Sequence, residues 1–277
     1  MEKYKVPTVL SIAGFDGSGG AGIQADTKTI SALGGYAMNV LTALPVQNTQ
    51  GVRNIYDIPT QAVKDQLKAI FEDIYPDAIK IGMVHSVELV HCIHTELIHY
   101  DGPVVYDPVM VSTSGHQLIQ EDTIAACAAL LFPRATIITP NLDELGVLVN
   151  KNIQTVSEME VAAAQLIGNG SQAVLAKGGH LASSQLTSLL LQKNKAVQAY
   201  QSLRIDTRNT HGSGCTLSSA IATFLAMGDA LDAAVPKALD YVYQALLSSK
   251  DLRIGEGSGP LNHFHNPKKL HIYELEQ

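Results

Sequence analysis

Short runs of β-branched and apolar residues alternate along this chain with longer segments of helical periodicity, and this alternation limits the possible folds. The strand-like runs are 8–14, 78–83, 103–107, 135–140 and 172–179. The helical segments between them are 20–33, 60–73, 86–98, 120–131 and 157–168. Apolar strands that alternate with helices form a parallel sheet covered on both faces, because each crossover connection places a helix against the sheet. The pattern therefore predicts an α/β protein, and the lack of repeats or linker-like segments predicts one domain over 1–277.

Two segments interrupt the alternation. The stretch 34–52 is strand-like but contains Pro45, which favours an edge strand or a flap over a central strand. The stretch 185–205 predicts a hairpin that turns at its Lys-Asn-Lys sequence. Further helices are predicted near 215–227 and 230–249, and a glycine-rich tail that carries histidines follows them.

The composition argues against several classes of partner. Of the 277 residues, 46% are hydrophobic, and the formal net charge is −7 with no cluster of lysine or arginine. An acidic protein does not suit nucleic acid or an anionic membrane as its main partner, because both are negatively charged. Cys92, Cys127 and Cys215 form no C-x-x-C pair, which disfavours a disulfide or zinc framework. With no signal-peptide pattern and no apolar run long enough to span a bilayer, we expect a cytoplasmic protein without membrane or nucleic-acid partners.

A glycine-rich loop at 14–22, GFDGSGGAG, contains a G-x-G-x-x-G frame after the first strand. The dinucleotide-binding form of this motif also needs an acidic residue about 20 positions later, which binds the ribose. The stretch 36–47 contains no Asp or Glu, which disfavours a hydride-transfer enzyme, and no P-loop motif is present. Asp26 follows Gly22 by four residues and is expected to face outward toward a ligand at the carboxyl edge of the sheet, with a solvated helical carboxylate as the alternative.

The sequence NTHGSGCTLSSAIA at 209–222 places Cys215 where a glycine-containing loop becomes a helix. Gly212 and Gly214 allow close approach of the backbone to a ligand, and the first turn of a helix offers unpaired N–H groups to an anion. Such a pocket suits a transferring phosphoryl group. The same position is expected to lower the pKa of the Cys215 thiol from its usual value of about 8.5, so that the thiolate accepts the proton of a substrate alcohol. Two alternatives remain, an inert helix-start cysteine and a covalent nucleophile assisted by His211.

Several long segments, in the same order, resemble bacterial hydroxymethylpyrimidine/phosphomethylpyrimidine kinases of thiamine biosynthesis. They are 11–52 (SIAGFDGSGG to NTQGV), KIGMV (80–84), DPVMVSTSG (107–115), ITPNLDEL (138–145), KGGH (177–180), NTHGSGCTLSSAIA (209–222) and GSGPLNHFH (257–265). The resemblance implies a ribokinase-like fold, which is a three-layer α/β/α arrangement with a central, mostly parallel sheet and a small flap over the substrate. It implies transfer of the γ-phosphate of ATP to 4-amino-5-hydroxymethyl-2-methylpyrimidine and then to its monophosphate. ATP and Mg²⁺ are the implied cofactors, and a homodimer is the implied assembly.

The resemblance also assigns residues to the site. It implies a pyrimidine pocket made of Gly14, Asp26, Gln47, Met83, Val109 and Cys215. It implies nucleotide binding by Asn141, Lys177, Thr210, Gly212 and Ser213, and catalysis by Cys215, Gly212, Gly214 and Lys177. The amide of Gln47 suits the donor and acceptor edge of an aminopyrimidine, whereas Met83 and Val109 suit its apolar ring faces. For the two apolar residues, ordinary core packing is the alternative.

Asn141 and Glu144 match the polar N-x-x-E of the family at a predicted helix start. They are expected to organise Mg²⁺ through water, with Glu144 as the metal contact, or to form a helix cap, or both. The chain also departs from the pattern, because many relatives carry an Asp in the strand after KGGH, where this chain has SSQLTSLLL. Thr187 or Ser188 is at best a partial substitute for that acid.

Other activities stay open at this point. Some G-x-G-C relatives phosphorylate vitamin B6 alcohols, so a pyridoxine/pyridoxal/pyridoxamine kinase is the nearest alternative, although Gln47-Asn48-Thr49 resembles the pyrimidine branch. A non-catalytic pyrimidine sensor is disfavoured because Cys215 and Lys177 are retained. The histidine pairs in 91–94 and 263–265 lack a second ligand pair of zinc-like spacing and are interpreted as surface or packing residues.

Overall fold

The computed structural model describes residues 4–110, 119–179 and 185–274. The motif residues 111–115 and His180, and the first two residues of SSQLTSLLL, lie outside these ranges. The strands are β1 (Tyr4–Lys5), β2 (Thr8–Ala13), β3 (Tyr36–Leu41), β4 (Ala43–Asn48), β5 (Gly51–Asp57), β6 (Ala78–Ile81), β7 (Val104–Tyr106), β8 (Ile137–Ile138), β9 (Ala173–Lys177), β10 (Gln185–Gln192), β11 (Gln198–Leu203) and β12 (Tyr273–Glu274). The helices are α1 (Gly22–Ala32), α2 (Thr60–Asp73), α3 (Val87–Glu96), α4 (Glu121–Leu130), α5 (Leu142–Val149), α6 (Val156–Gly168), α7 (Ser213–Ala226) and α8 (Leu231–Ser249), with a short 3-10 helix at Phe132–Arg134.

Eight strands form the central sheet, in the order β11-β10-β9-β8-β7-β6-β2-β3. Neighbours from β3 through β9 pair in parallel, whereas β10 is antiparallel to both β9 and β11. All six residues of β2 are buried, as a strand covered on both faces requires. The predicted hairpin over 185–205 is confirmed as β10 and β11, and Asn194 in its turn adopts a left-handed conformation with φ of 63°.

The segment 34–52 forms both of the structures that Pro45 favours. Its first part is β3, the edge strand that runs parallel to β2. Its second part is β4, which pairs with β5 in a separate two-stranded flap. Pro45 is tolerated there because β4 has a partner on only one side. The flap register shifts between Val46 and Gln47, and such an irregularity changes the direction of the side chains beyond it.

Helices cover both faces of the sheet. On one face, α1, α7 and α8 contribute to a core that includes Val9 and Leu217. On the other face, α2 through α6 contribute to a core that includes Leu10 and Ile12. The alternation along β2 sends Val9 to one core and its neighbour Leu10 to the other, which is the two-residue period of a strand. The result is the α/β/α layering that the sequence predicts.

The predicted element bounds differ from the observed ones mainly at their ends. α2 has its predicted bounds, whereas the predicted helix 20–33 is Gly22–Ala32 and the predicted strand 135–140 contains only Ile137–Ile138. The expected helix start at Asn141 is confirmed, and α5 extends it to Val149. Over the described residues, none of the helices combines the length and apolar character needed to cross a membrane.

Candidate active site

The carboxyl ends of the parallel strands lead to the predicted site residues. β2 runs into the loop 14–22, β6 precedes Met83, β7 precedes Asp107 and β9 ends at Lys177. Ligands of open α/β sheets bind at this edge because the loops that follow the strands converge there. α7 packs against β2, β6 and β7, so its first turn lies at the same edge.

The two glycine loops of the sequence contact each other backbone to backbone. Gly212 has a φ of +80°, and a Cβ at this position would lie 1.8 Å from the carbonyl oxygen of Gly20. Gly22 has a φ of +55°, and its Cβ would lie 2.3 Å from the carbonyl oxygen of Gly14. Both positions therefore need glycine for conformation and for space. The front loop and the loop before α7 form one continuous wall of the site.

Asp16, which the sequence reasoning missed, fixes the front loop from within. Its buried carboxylate accepts hydrogen bonds from the backbone N–H groups of Ser18, Gly20 and Ala21, at 2.7–3.0 Å. The Nε2 atom of His211 lies 2.8 Å from the same carboxylate. Burial alone would raise the pKa of Asp16, but His211 and the loop donors hold it well below its ordinary value. The signal in the sequence was an Asp whose side chain can bond the backbone two residues later in a glycine loop.

This contact also bears on the covalent mechanism. An imidazole that activates a cysteine must hold a ring nitrogen toward the sulfur. The Nε2 atom of His211 lies 2.8 Å from the Asp16 carboxylate. A carboxylate partner on one ring nitrogen is compatible with activation of a thiol through the other, so the covalent alternative with His211 stays open.

Cys215 is the third residue of α7 and is half-buried. The expected lowering of its pKa is wrong for this structure, because burial raises the pKa of the thiol to about 11. Asp26 and Asp107 add to the rise, and Lys80 and the N–H of Gly22 oppose it without reversing it. The helix start alone does not decide the charge of a group that faces two carboxylates.

Asp26 faces inward, so the expectation of an outward carboxylate is wrong. Its side chain is 0% exposed and lies 2.8 Å from the Nζ of Lys80, which is also 0% exposed. Ser11 and Ser219 donate further hydrogen bonds to the two oxygens of Asp26, at 2.5 and 2.7 Å. Burial alone would lower the pKa of Lys80, but the facing charges of Asp26, Cys215 and Asp107 hold it above its ordinary value. Contact between Asp26 and a substrate stays a prediction.

A second lysine–carboxylate pair joins β9 to the loop after β7. The Nζ of Lys177 lies 3.1 Å from Oδ1 of Asp107, which also accepts a hydrogen bond from Thr139 at 2.9 Å. Burial alone would raise the pKa of Asp107, but Lys177 and Lys80 hold it below its ordinary value. A Cβ on Gly214 would lie 3.4 Å from both Lys177 Nζ and Asp107 Oδ2, so the pair borders the first turn of α7.

Asn141 and Glu144 form the helix cap that the sequence allows. Asn141 Oδ1 accepts a hydrogen bond from the N–H of Glu144 at 2.9 Å, and Glu144 Oε2 accepts one from the N–H of Asn141 at 2.7 Å. Burial raises the pKa of Glu144 to about 7, although Lys177 opposes the rise. Within 4–110, 119–179 and 185–274, no three His, Cys, Asp or Glu side chains are grouped to hold a metal ion. Binding of Mg²⁺ through Glu144 stays a prediction.

The predicted pyrimidine residues are only partly brought together. Gly14 lies next to Met83, whose Sδ would be 3.4 Å from a Cβ on that glycine, and Met83 is buried. Gln47 is half-buried on the flap, and Val109 is half-buried after β7. No described contact joins these last two to Met83, so a shared pocket stays a prediction.

The remaining predicted positions lie around the start of α7. Thr210 is exposed, and its carbonyl oxygen accepts a hydrogen bond from the N–H of Ser213 at 3.1 Å. Ser188 on β10 lies directly across from Lys177 on β9. Ser188 is therefore beside the Lys177–Asp107 pair, and substitution of the missing acid by Thr187 or Ser188 stays a prediction.

Comparison with known proteins identifies the family to which this chain is similar. The family described as phosphomethylpyrimidine kinase matches residues 16–262. A hydroxymethylpyrimidine/phosphomethylpyrimidine kinase of Rhizobium meliloti is 44% identical over 257 residues, which are 92% of this chain and 96% of that protein. The chain belongs to the phosphomethylpyrimidine kinase family.

Solved structures agree with membership of the phosphomethylpyrimidine kinase family. A phosphomethylpyrimidine kinase of Clostridium difficile is similar with a TM-score of 0.76 and 40% identity, covering 87% of this chain and 100% of that one. A pyridoxal kinase of Bacillus subtilis, solved as an ADP complex, is similar with a TM-score of 0.86 and 32% identity, covering 94% and 98%. The ribokinase-like fold is confirmed, and the chain is a phosphotransferase that uses ATP, whereas pyridoxal kinases are structural relatives.

Proposed function

We propose that this site phosphorylates the hydroxymethyl group of 4-amino-5-hydroxymethyl-2-methylpyrimidine and then the resulting monophosphate. The observation that carries the proposal is the convergence of Gly212, Gly214 and Lys177 at the first turn of α7, beside Cys215. Backbone N–H groups at a helix start and a lysine together offset the charge that spreads over a transferring phosphoryl group. Little covalent chemistry is needed beyond this positioning.

The acceptor side of the site is formed by the front of the sheet and the flap. Gln47 is assigned to the polar edge of the pyrimidine, and Met83 and Val109 to its ring faces. Gly14 provides space beside Met83, since a side chain there would reach the Met83 sulfur. Both carboxylate oxygens of Asp26 already accept hydrogen bonds. Asp26 therefore contacts the substrate only if the oxygen that faces Lys80 also accepts a hydrogen bond from the substrate.

The donor side of the site takes the nucleotide. The phosphates of the nucleotide are assigned to Asn141, Thr210 and Ser213. The phosphoryl group that is transferred is assigned to Lys177. Because Mg²⁺ keeps several waters and commonly binds through substrate phosphates, we infer that it enters the site bound to the phosphates of ATP. Glu144 is assigned to it through water.

Cys215 is assigned as the base. The substrate oxygen forms its bond to the γ-phosphorus while the bond from phosphorus to the bridging oxygen of ADP breaks. The hydroxyl proton passes to the thiolate of Cys215, and the resulting thiol later returns it to solvent. Because the pKa of the thiol is raised to about 11, the thiolate is a minor form at neutral pH, and its fraction rises as pH rises.

We further infer a cytoplasmic homodimer, as the family resemblance implies. The negative net charge of −7 is consistent with a small-molecule substrate rather than nucleic acid. Light scattering on the purified protein measures the assembly, with a mass twice that of the chain as the expected result.

Product analysis tests the proposed reaction. The protein is incubated with ATP and either hydroxymethylpyrimidine or pyridoxal, and products are identified by mass. We expect mono- and diphosphate of the pyrimidine, with a kcat/KM that exceeds the value for pyridoxal. A higher value for pyridoxal would favour the vitamin B6 activity, and binding of the pyrimidine without ATP turnover would favour the sensor.

Replacement of Gln47 tests the assignment of the pyrimidine edge. Gln47→Leu keeps the size of the side chain but leaves the polar edge of the substrate unpaired, which should weaken binding by about 1–3 kcal/mol. Titration calorimetry with the pyrimidine measures this loss. Gln61→Leu is the control, since Gln61 is exposed on α2 and bonds to Asp65. Wild-type affinity of Gln47→Leu would show that the amide does not face the substrate.

A further inference from the structure

The flap of β4 and β5 is held at two ends. A two-stranded hairpin alone is marginally stable in water, so contacts with the rest of the protein determine its position. At its base, the carbonyl oxygen of Ala43 accepts a hydrogen bond from the N–H of Phe15 at 2.9 Å, and Thr42 Oγ1 donates one to the carbonyl of Met83 at 2.7 Å. At its far end, the turn after β4 contacts the glycine-rich tail.

The contact at the far end centres on Thr49. The N–H of Ser258 donates to the carbonyl oxygen of Thr49 at 2.9 Å, and the N–H of Gly257 donates to Thr49 Oγ1 at 3.2 Å. A Cβ on Gly257 would lie 1.9 Å from the Thr49 carbonyl oxygen, and one on Gly255 would lie 2.3 Å from Thr49 Oγ1. Any larger residue at either position would displace the flap tip or the tail. Close contact with the flap tip therefore explains why positions 255 and 257 carry glycine.

The tail then continues to the loop before α7. The N–H of His211 donates to the carbonyl oxygen of Gly259 at 3.0 Å, and a Cβ on Gly259 would lie 2.0 Å from Asn209 Oδ1. Further along, the buried His263 places its Nε2 3.0 Å from Thr216 Oγ1, in the first turns of α7. The same few residues therefore contact the flap tip and both sides of the loop before α7 (209–212), which we call the anion-binding loop after its proposed role.

We propose that the tail segment 255–263 sets the position of the flap relative to the anion-binding loop, and that Thr49 is its positioning residue on the flap. Gln47 lies two residues before Thr49, so the tail would align the group assigned to the pyrimidine with the residues assigned to the phosphate. The inference rests on the proposed function for this last step, whereas the contact between tail and flap stands independently of it. The proposal also gives a role to the segment GSGPLNHFH (257–265), which contains none of the assigned site residues.

Gly257→Ala is the most direct test, because the added methyl group occupies the position of the Thr49 carbonyl. Gly168→Ala is the matched control, since a Cβ there meets nothing within 4 Å. Amides of 44–57 should exchange hydrogen for deuterium faster in Gly257→Ala than in the wild type. Its KM for the pyrimidine should rise about tenfold, which corresponds to the loss of two hydrogen bonds. The KM for ATP should change less than twofold.

Thr49 provides a second test with a conservative rescue. Thr49→Val removes the oxygen but keeps the branched shape, and should raise the pyrimidine KM by about two- to fivefold, which is the loss of one hydrogen bond. Thr49→Ser keeps the oxygen and should behave like the wild type.

Two results would overturn the inference, namely unchanged exchange of 44–57 in Gly257→Ala, or faster exchange with unchanged KM and kcat. If the wild type phosphorylated no pyrimidine, the proposed function would fail, and the exchange of 44–57 would still decide whether the tail holds the flap.

Discussion

Two buried lysine–carboxylate pairs lie at the same edge of the sheet, and they differ in access to solvent. In the first, the sealed pair, Lys80 and Asp26 are 2.8 Å apart and both side chains are 0% exposed. In the second, the open pair, Lys177 and Asp107 are 3.1 Å apart and their side chains are 15% and 3% exposed. The open pair borders Gly214, so its lysine can meet a ligand. The sealed pair lies beneath the site, and contact between its Asp26 and a substrate would require Asp26 to share the oxygens that now accept hydrogen bonds.

A buried charge can serve two different purposes at one site. A buried ion pair gives little net stability over apolar packing, but removal of one partner leaves an uncompensated charge. The sealed pair therefore keeps the buried side chains around it in one arrangement. In the proposed reaction, the open pair holds the ammonium group of Lys177 ready for the nucleotide phosphates, and Asp107 neutralises it until they bind.

Removal of the sealed lysine should have the largest effect, and it should be on stability. Lys80→Met keeps the length of the side chain but leaves Asp26 buried without its cation, so the free energy of unfolding should fall by about 3–5 kcal/mol. Urea denaturation measures the loss. Lys237→Met is the control, because the exposed pair of Lys237 with Asp229 should be worth less than about 1 kcal/mol.

The double variant Lys80→Met/Asp26→Asn sharpens this result. It removes both charges, so part of the lost stability should return. If Lys80→Met lowered the free energy of unfolding by no more than Lys237→Met does, the sealed pair would not have the structural role that distinguishes it from the open pair.

Removal of the open lysine should act mainly on turnover. Lys177→Met should lower kcat by about 10²–10³-fold, which is typical for loss of one donor to a charge that develops in the transition state. The KM for the pyrimidine should stay within about twofold, because Lys177 is assigned to the nucleotide and not to the pyrimidine. Steady-state kinetics test this, with Lys195→Met of the exposed Lys195–Asp232 pair as the control. A Lys177→Met protein with normal kcat would make this pair structural like the other.

The open pair also has a titratable neighbour, which should make stability depend on pH. Burial raises the pKa of Glu144 to about 7 from 4.5, so the folded state binds more protons between these values than the unfolded chain does. The contribution of Glu144 to the free energy of unfolding, taken as the difference between the wild type and Glu144→Gln, should therefore fall as pH rises through this window, by up to about 3 kcal/mol. Urea denaturation of both proteins at several pH values measures this difference. Glu158→Gln, in the exposed capping box of α6, should show no such fall relative to the wild type, and a difference between the wild type and Glu144→Gln that does not change with pH would contradict the assignment.

Much of the fold could be predicted from sequence because it follows from local pattern. The short, mostly apolar run of β2 and the helical period of α2 are visible without knowledge of their neighbours. Cys215 could be placed at a helix start because Gly212 and Gly214 mark that junction. The flap and the edge strand within 34–52 could not be separated in advance, since Pro45 permits both.

The charge states of the site could not be predicted because they depend on residues far apart in the chain. Lys80 stands in the apolar run AIKIGM, and a lysine there requires a buried partner, but the sequence does not show that Asp26 is that partner. The helix start suggested a lowered pKa for Cys215, whereas burial of the thiol raises it, with a further rise from Asp26 and Asp107. Asp107 was overlooked as well, although an Asp that directly follows a buried strand is a signal for this edge.

The pH dependence of phosphoryl transfer tests the central claim, that the sulfur of Cys215 accepts the proton of the acceptor alcohol. The measurement is the single-turnover rate of the wild type and of Cys215→Ala between about pH 6 and 9. The wild-type rate should rise with pH, by up to about tenfold per unit, because the pKa of the thiol lies near 11. Cys215→Ala should be slower by roughly 10²-fold or more and should lack this rise. A Cys215→Ala protein with the wild-type rate and the same pH profile would contradict the claim.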